Sequence, residues 1–230
     1  MTAAERPEPD WSDEGREDHY HPLANGLGRA AEAGDTDLVR RLLAEGAEAD
    51  AWVLGGRRAL DLAVCAGQVE AVRLLLAAGA DPRLDAGPYS EATPLALAVM
   101  NGYADVARAL LDAGAPPGGA AGRLRYMPLI LAAASSEGGS PEIVDLLLDR
   151  GADIEETRRD CTALDWAARH GCPATVERLL ERGAALTERT FREGAAGQVF
   201  TGSTRPGPGT RHDEYKAVRA LLVAAWDARN

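Results

Sequence analysis

Ten glycines in two locked registers restrict this chain to a stacked architecture. Five Gly-Ala pairs recur at Gly46-Ala47, Gly79-Ala80, Gly114-Ala115, Gly151-Ala152 and Gly183-Ala184, at steps of 33, 35, 37 and 32 residues. Twelve residues before each pair stands another glycine, at Gly34, Gly67, Gly102, Gly139 and Gly171. A period near 33 describes small units that bury their apolar faces on one another, rather than one closed globule.

The second copy shows what a unit contains. Residues 58–80 read RALDLAVCAG and then QVEAVRLLLAAGA. Leu60, Leu62, Ala63 and Ala66 have spacings compatible with one face of a short helix, which Gly67 breaks. Val69, Val72, Leu75 and Leu76 share a face of a second helix, with Leu74 beside them. Gly79 ends that helix, because glycine takes the left-handed C′ conformation without a Cβ clash. The unit is therefore helix, tight turn, helix, extended loop.

The second helices also share electrostatics. Three residues after four of the internal glycines stand Asp37, Glu70, Asp105 and Glu142, where an acid suits the positive helix end. The fifth copy has Ala174 there, preceded by Pro173, itself a good helix starter. Ser140-Pro141 supplies an N-cap and a proline at the first helical position. Arg40, Arg73, Arg108 and Arg178 follow on the same helices and read as solvated faces.

Thr93-Pro94-Leu95, with the partial copies Thr162-Ala163-Leu164 and Met127-Pro128-Leu129, opens units whose endings run Leu74-Leu75-Leu76 to Gly79-Ala80-Asp81 and Leu146-Leu147-Leu148 to Gly151-Ala152-Asp153. In these openings and endings the chain resembles the ankyrin repeat family, over about residues 23–186. The resemblance implies an all-α solenoid of stacked helix-turn-helix units joined by extended hairpin-like loops. The expected repeats are about 23–51, 52–85, 86–120, 121–156 and 157–188, the first a worn copy opening Asn25-Gly26-Leu27.

Two departures stand out. The histidine that follows Thr-Pro-Leu in the family is replaced by Gly28, Asp61, Ala96, Ile130 and Asp165. In the family it ties neighbouring repeats by hydrogen bonds. Asp61 and Asp165 can accept such bonds, whereas Ala96 and Ile130 cannot. The fourth copy carries three extra residues before Gly139, in ASSEGGSPE, and a longer first helix or a bulging turn is expected there.

Outside the repeats, residues 1–22 hold seven acids against two arginines, and read as a disordered acidic tail. Residues 189–212 are rich in Gly and Arg and read as a loop, with a frayed helix around 188–193. A helix is expected at 213–228, with Val218, Leu221, Leu222 and Trp226 on one face, as the cap of a degenerate sixth repeat.

The net charge of −11 argues against a general nucleic-acid binder and against docking on anionic membranes. No apolar run approaches a transmembrane helix, and no signal peptide is visible, so the cytoplasm is the expected compartment. The composition, with Lys216 the one lysine against a wealth of Arg, Ala and Gly, points to a GC-rich bacterial source. Cys65, Cys161 and Cys172 are too scattered for a disulfide framework or a zinc site. There is no G-x-S-x-G, H-E-x-x-H or P-loop, and no cofactor is expected.

Binding is the reading that remains. The resemblance implies contacts through the concave face and loop tips. Positions just before the internal glycines include Met100, Asn101, Arg169 and His170. Tip positions include Leu54, Arg57, Tyr89, Ser90, Arg123, Tyr126, Arg158 and Arg159. Arginines gather on the last regular copies of an otherwise acidic chain, which suits a partner with an acidic contact surface. The expected function is a monomeric, non-catalytic protein-protein interaction scaffold, with an immunity-type inhibitor that sequesters one enzyme as the alternative.

Overall fold

All ten glycines of the two registers have positive φ, between 68° and 97°. Nine of them, all but Gly139, close a helix in the same way. At Gly67 the Gln68 N–H donates to the Ala63 carbonyl (2.9 Å) and the Gly67 N–H to that of Val64 (3.1 Å). At Gly79 the Ala80 N–H donates to Leu75 (3.0 Å) and the Gly79 N–H to Leu76 (3.0 Å). The left-handed residue thus satisfies carbonyls that a helix end would otherwise leave open. Four of the five alanines of the Gly-Ala pairs, all but Ala152, follow into the interior; Ala80 is 5 % exposed and Ala184 2 %.

The computed structural model describes residues 22–53, 55–84, 92–118, 127–134, 139–196 and 210–228. The expected acidic tail lies outside these, save its last residue, as does most of the 189–212 loop. Twelve helices and one two-stranded ribbon occur among the described residues, in an all-α, helix-turn-helix solenoid. The chain divides into two units, residues 1–94 and 95–230.

The first unit holds α1 (Pro22–Ala33), α2 (Thr36–Ala44), α3 (Ala59–Cys65) and α4 (Val69–Ala77). First helices pack on first helices and second on second, α1 on α3 and α2 on α4. Between α2 and α3 runs a hairpin of β1 (Trp52–Val53) and β2 (Arg57–Arg58), paired Trp52 with Arg58 and Val53 with Arg57. Gly28 explains one departure from the family pattern. A Cβ there would come within 3.0 Å of Val53 Cγ1 and 3.1 Å of Leu62 Cδ1, so α1 sits too close for a histidine.

The second unit holds α5 (Pro94–Met100), α6 (Ala104–Asp112), α7 (Pro128–Ala133), α8 (Pro141–Asp149), α9 (Ala163–His170), α10 (Pro173–Glu181), α11 (Glu188–Ala196) and α12 (Thr210–Asp227). Its core is one small layer per repeat, with Leu95, Leu110, Leu129, Ile143, Leu147, Leu164 and Leu179 all under 2 % exposed. α7 packs on α9, and α8 lies between α6 and α10.

Two expectations are corrected and one pair of alternatives is decided. Of the two alternatives for the fourth copy, a longer first helix or a longer turn, the helix is not lengthened; α7 has six residues against eight in α9, and the extra residues lie in the turn. The Ser140 N–H donates to the Ala132 carbonyl (2.9 Å), as Cys172 does to Ala167 (3.0 Å), so the usual closing bond ends the helix. The extra residues fall between Ala134 and Gly139, of which 135–138 lie outside the described residues. Leu62 does not join the core face of α3. Ala59, Leu60, Asp61, Ala63 and Val64 are buried, and Leu62 is half-exposed, because a first helix is covered both by its own second helix and by its neighbours. Nor are the second-helix arginines only solvated: Arg108 and Arg178 reach carboxylates of the preceding or following repeat.

Asp165 realises the tie that the family gives to histidine. Its Oδ2 accepts from the Thr162 N–H (3.0 Å) in a capping box, and its Oδ1 accepts from the Thr190 hydroxyl of α11 (2.8 Å). Both carboxylate oxygens are therefore bonded at 3 % exposure. Carboxylates also cap the loop following each Gly-Ala pair in two places. Asp50 accepts from the Asp81 N–H (3.1 Å), and Glu155 accepts from the Ala185 N–H (2.7 Å).

Candidate interaction surface

The inward demands of a first helix leave a fixed set of positions facing out. Leu97, Leu131 and Trp166 are half-exposed at successive steps of 34 and 35 residues, and Leu62 precedes them by 35. Next along the same helices come Met100, 50 % exposed, and Arg169 and His170. The sequence reading found the ends of these helices but missed this apolar row. Its signal was the same period that located the glycines, followed one residue past the family's histidine position.

Trp166 organises the end of α9. His170 stacks on it with centroids 5.8 Å apart and planes 29° off parallel, and the Arg169 guanidinium lies 5.5 Å from its ring centroid. α12 steadies the same corner. The Tyr215 hydroxyl donates to the Arg169 carbonyl (3.2 Å), and the Tyr215 ring lies where a Cβ on Gly171 would come within 3.0 Å. The indole Nε1 of Trp166 is buried and has no hydrogen-bond partner among the described residues.

Arg158 and Arg159 stand at the other end of α9. Arg158 and Cys161 form an antiparallel bridge, with N–H to O distances of 2.9 and 3.1 Å, around a two-residue turn. Arg159 (φ 52°) and Asp160 (φ 59°) both take the left-handed conformation of a type I′ hairpin. Arg189 of α11 donates to the Asp160 carbonyl and holds the turn down. Arg159 is exposed, Arg158 half-buried, and neither makes an ion pair among the described residues. The structure therefore places Arg158 and Arg159 at one end of an eight-residue helix and Arg169 and His170 at the other, with Trp166 between.

The remaining candidates are scattered. Asn101 is exposed, but its side-chain amide donates back to the Leu97 carbonyl (2.8 Å). Arg57 lies in the first unit, on β2, with a guanidinium nitrogen 3.5 Å from Cys65 Sγ. Beside it Arg58 covers the Trp52 ring at 4.0 Å, a pair that the sequence reading did not single out. Leu54, Tyr89, Ser90, Arg123 and Tyr126 lie outside the described residues.

The second helices carry a different chemistry. Arg182 of α10 donates to Asp145 and Asp149 of α8, at 2.7 Å each, and Arg178 reaches Asp145 at 3.3 Å. Arg150 reaches Asp112 at 2.6 Å and Arg108 reaches Glu142 at 3.4 Å. Hydrogen bonds to Asp145 and then Asp149 raise the Arg182 guanidinium above its already high ordinary value. Among the described residues there is no group of three His, Cys, Asp or Glu arranged to hold a metal, and no helix long and apolar enough to cross a membrane. The three cysteines form no disulfide.

Residues 27–119 and 117–190 each match the family model described as Ankyrin repeats (3 copies). The chain belongs to the ankyrin repeat family. Ankyrin repeats are generally protein-protein interaction modules, and proteins built from them are typically non-catalytic scaffolds. No curated protein matches the chain. In this ankyrin repeat protein the histidine site is thus rebuilt as a capped aspartate at Asp165, and the outward row of first helices ends in the Trp166 stack.

Proposed function

We propose that this ankyrin repeat protein is a non-catalytic scaffold that binds an acidic segment of a partner protein through the first-helix face and loop tips of its later repeats. The observation that carries this reading is the surface along α9. Trp166 offers a flat apolar ring, Arg169 and His170 border it, and Arg158 and Arg159 project at the far end without ion pairs among the described residues. Tryptophan and arginine are the side chains that most often dominate binding energy, and an apolar row beside them supplies area. Leu97, Met100 and Leu131 extend that row. Asn101, Arg123 and Tyr126 complete the proposed contact set of this unit; Leu54, Arg57, Tyr89 and Ser90 belong to the first unit and are proposed contacts there in their own right. On this reading α11 and α12 are the worn sixth repeat that closes the array.

Charges at an interface rim set association rate and salt dependence, while a buried aromatic sets dissociation. The test is a pull-down from the native organism, followed by surface plasmon resonance against the captured protein at two salt concentrations. Arg158→Glu/Arg159→Glu should slow association and flatten its salt dependence, and Trp166→Ala should speed dissociation, with both variants folded. Unchanged kinetics in both, with binding lost instead on Arg108→Glu at the second-helix face, would put the site on the wrong side. A captured enzyme that loses activity on binding would select the inhibitor form of the same function.

A further inference from the structure

Stacking gives the outward side of the first helices a fixed pitch, and whatever lies across several of them must match it. Leu97 of α5, Leu131 of α7 and Trp166 of α9 are half-exposed at one register position, 34 and 35 residues apart. Packed helices stand about 8–10 Å apart, so these side chains form an apolar row with about that step. The row ends in positive charge. Arg158 and Arg159 stand off one end of α9, without an ion pair among the described residues. At the other end is Arg169, its guanidinium 5.5 Å from the Trp166 ring centroid. α9 has eight residues. At the helical rise of about 1.5 Å per residue, the two positive flanks are therefore about 12 Å apart.

We infer that the acidic segment bound by this face is an amphipathic α-helix of the partner protein. It lies across the first helices, with apolar residues at i, i+7 and i+14 on Leu97, Leu131 and Trp166 and its carboxylates beside Trp166. The inference rests on the scaffold reading above and adds the conformation and pattern of what is bound. Residues seven apart in an α-helix share a face and are about 10.5 Å apart, which a small tilt brings to the step of the row. An extended strand returns to the same face every two residues, at about 6.6 Å and then about 13 Å, and matches neither. A polyproline helix matches the step, at about 9.3 Å for three residues, but not the flanks. Either neighbour of its seam residue is turned away by about 120°, clear of the surface. In an α-helix the positions three and four from a seam residue turn by only about 40–60°. They reach down on both sides, toward Arg158 and Arg159 on one and Arg169 on the other. An α-helix with its side chains is also about 10–12 Å across, the distance between those flanks. Acids on both sides of the last apolar residue then meet guanidinium groups in charge-assisted hydrogen bonds.

The experiment is a selection against the full chain from a random display library of peptides of about 20 residues, long enough for i+14 and its flanks. Enriched peptides should carry apolar residues at i, i+7 and i+14, with Asp or Glu three or four positions from the terminal one on both sides. A synthetic copy should gain helical far-UV circular dichroism on binding. Trp166→Ala and Arg158→Glu/Arg159→Glu should each weaken its binding by about tenfold or more, while Arg108→Glu on the second-helix face leaves it unchanged. Thermal melts report that each variant is folded. Peptides that depend on Trp166 and the tip arginines but bind in an extended form, or carry apolar residues at every second or third position, overturn the helix and leave the scaffold reading standing. Peptides indifferent to both Trp166→Ala and the arginine reversal overturn the two together. A pool from which nothing is enriched also overturns the inference, because three apolar and two acidic positions recur many times in any large random library.

Discussion

On α8 and α10, Asp145 and Asp149 hold Arg178 and Arg182 in one network between repeats; at the tip before α9, Arg158 and Arg159 of the same unit have no carboxylate within reach among the described residues. The same residue type is therefore found in two settings within one unit. Second-helix arginines join neighbouring units, while tip arginines are left for something else. The difference follows from spacing. Second helices run side by side, so residues one repeat apart meet across about one interhelical distance. The turn at Arg159 and Asp160 is held instead by Arg189 of α11, through the Asp160 carbonyl, which leaves the two arginine side chains without an ion pair among the described residues. Position in the repeat, rather than residue type, separates paired from unpaired arginines here.

The largest effects should come from behind both arginine sets. Leu147 of α8 is fully buried, and Leu147→Ala should cost about 2–5 kcal/mol by urea denaturation. Trp166→Ala, from a half-exposed ring, should cost less than half of that while abolishing most partner binding. Equal losses of stability from the two would show that the α9 ring belongs to the core, and would break the contrast between the faces.

The next effect concerns the network. Asp145→Ala removes the acceptor shared by Arg178 and Arg182, whose side chains remain 42 % and 29 % exposed. Partly solvated ion pairs are weak, so the loss should be about 0.5–1 kcal/mol, shrinking further in high salt. Arg158→Glu/Arg159→Glu should change stability by less than that. A thermal melt of both variants at two salt concentrations checks the order. If reversing the tip arginines proves more damaging than Asp145→Ala, the tip is structural after all.

How much of this was legible in the chain depends on what each feature needed. The glycine registers reported the helix ends directly, because a positive φ is a local demand that few other residues meet. The leucines of the second helices were as plain. Leu62, Leu97, Leu131 and Trp166 were harder, since an apolar residue on a short helix reads as core until the neighbouring helices are placed. Their common period was available, and it outweighs helical spacing within one repeat. The bond from Thr190 to Asp165 was not legible, because it joins residues across a segment where the repeat pattern fades. Tyr215 was missed for the same reason. Its role against Gly171 depends on how α12 returns after a segment that carries no repeat signal.

The smallest effect is the sharpest test of the tip. Arg159 and Asp160 both hold positive φ, which costs an ordinary L-residue roughly 1–2 kcal/mol and costs Asn or Gly less. Two substitutions relieve the same turn by different means. Asp160→Gly leaves the Arg159 guanidinium in place, whereas Arg159→Asn removes it. Each should raise stability by about 0.5 kcal/mol, the gain for glycine being reduced by its extra freedom in the unfolded chain. Their effects on partner association should differ: Asp160→Gly should keep the wild-type rate, and Arg159→Asn should lower it. A residue kept in an unfavourable conformation only for its charge predicts this divergence, stability rising in both and binding falling in one. If both variants gain stability and both bind as before, Arg159 is not part of the contact surface, and the contrast between tip and network arginines reduces to one of geometry alone.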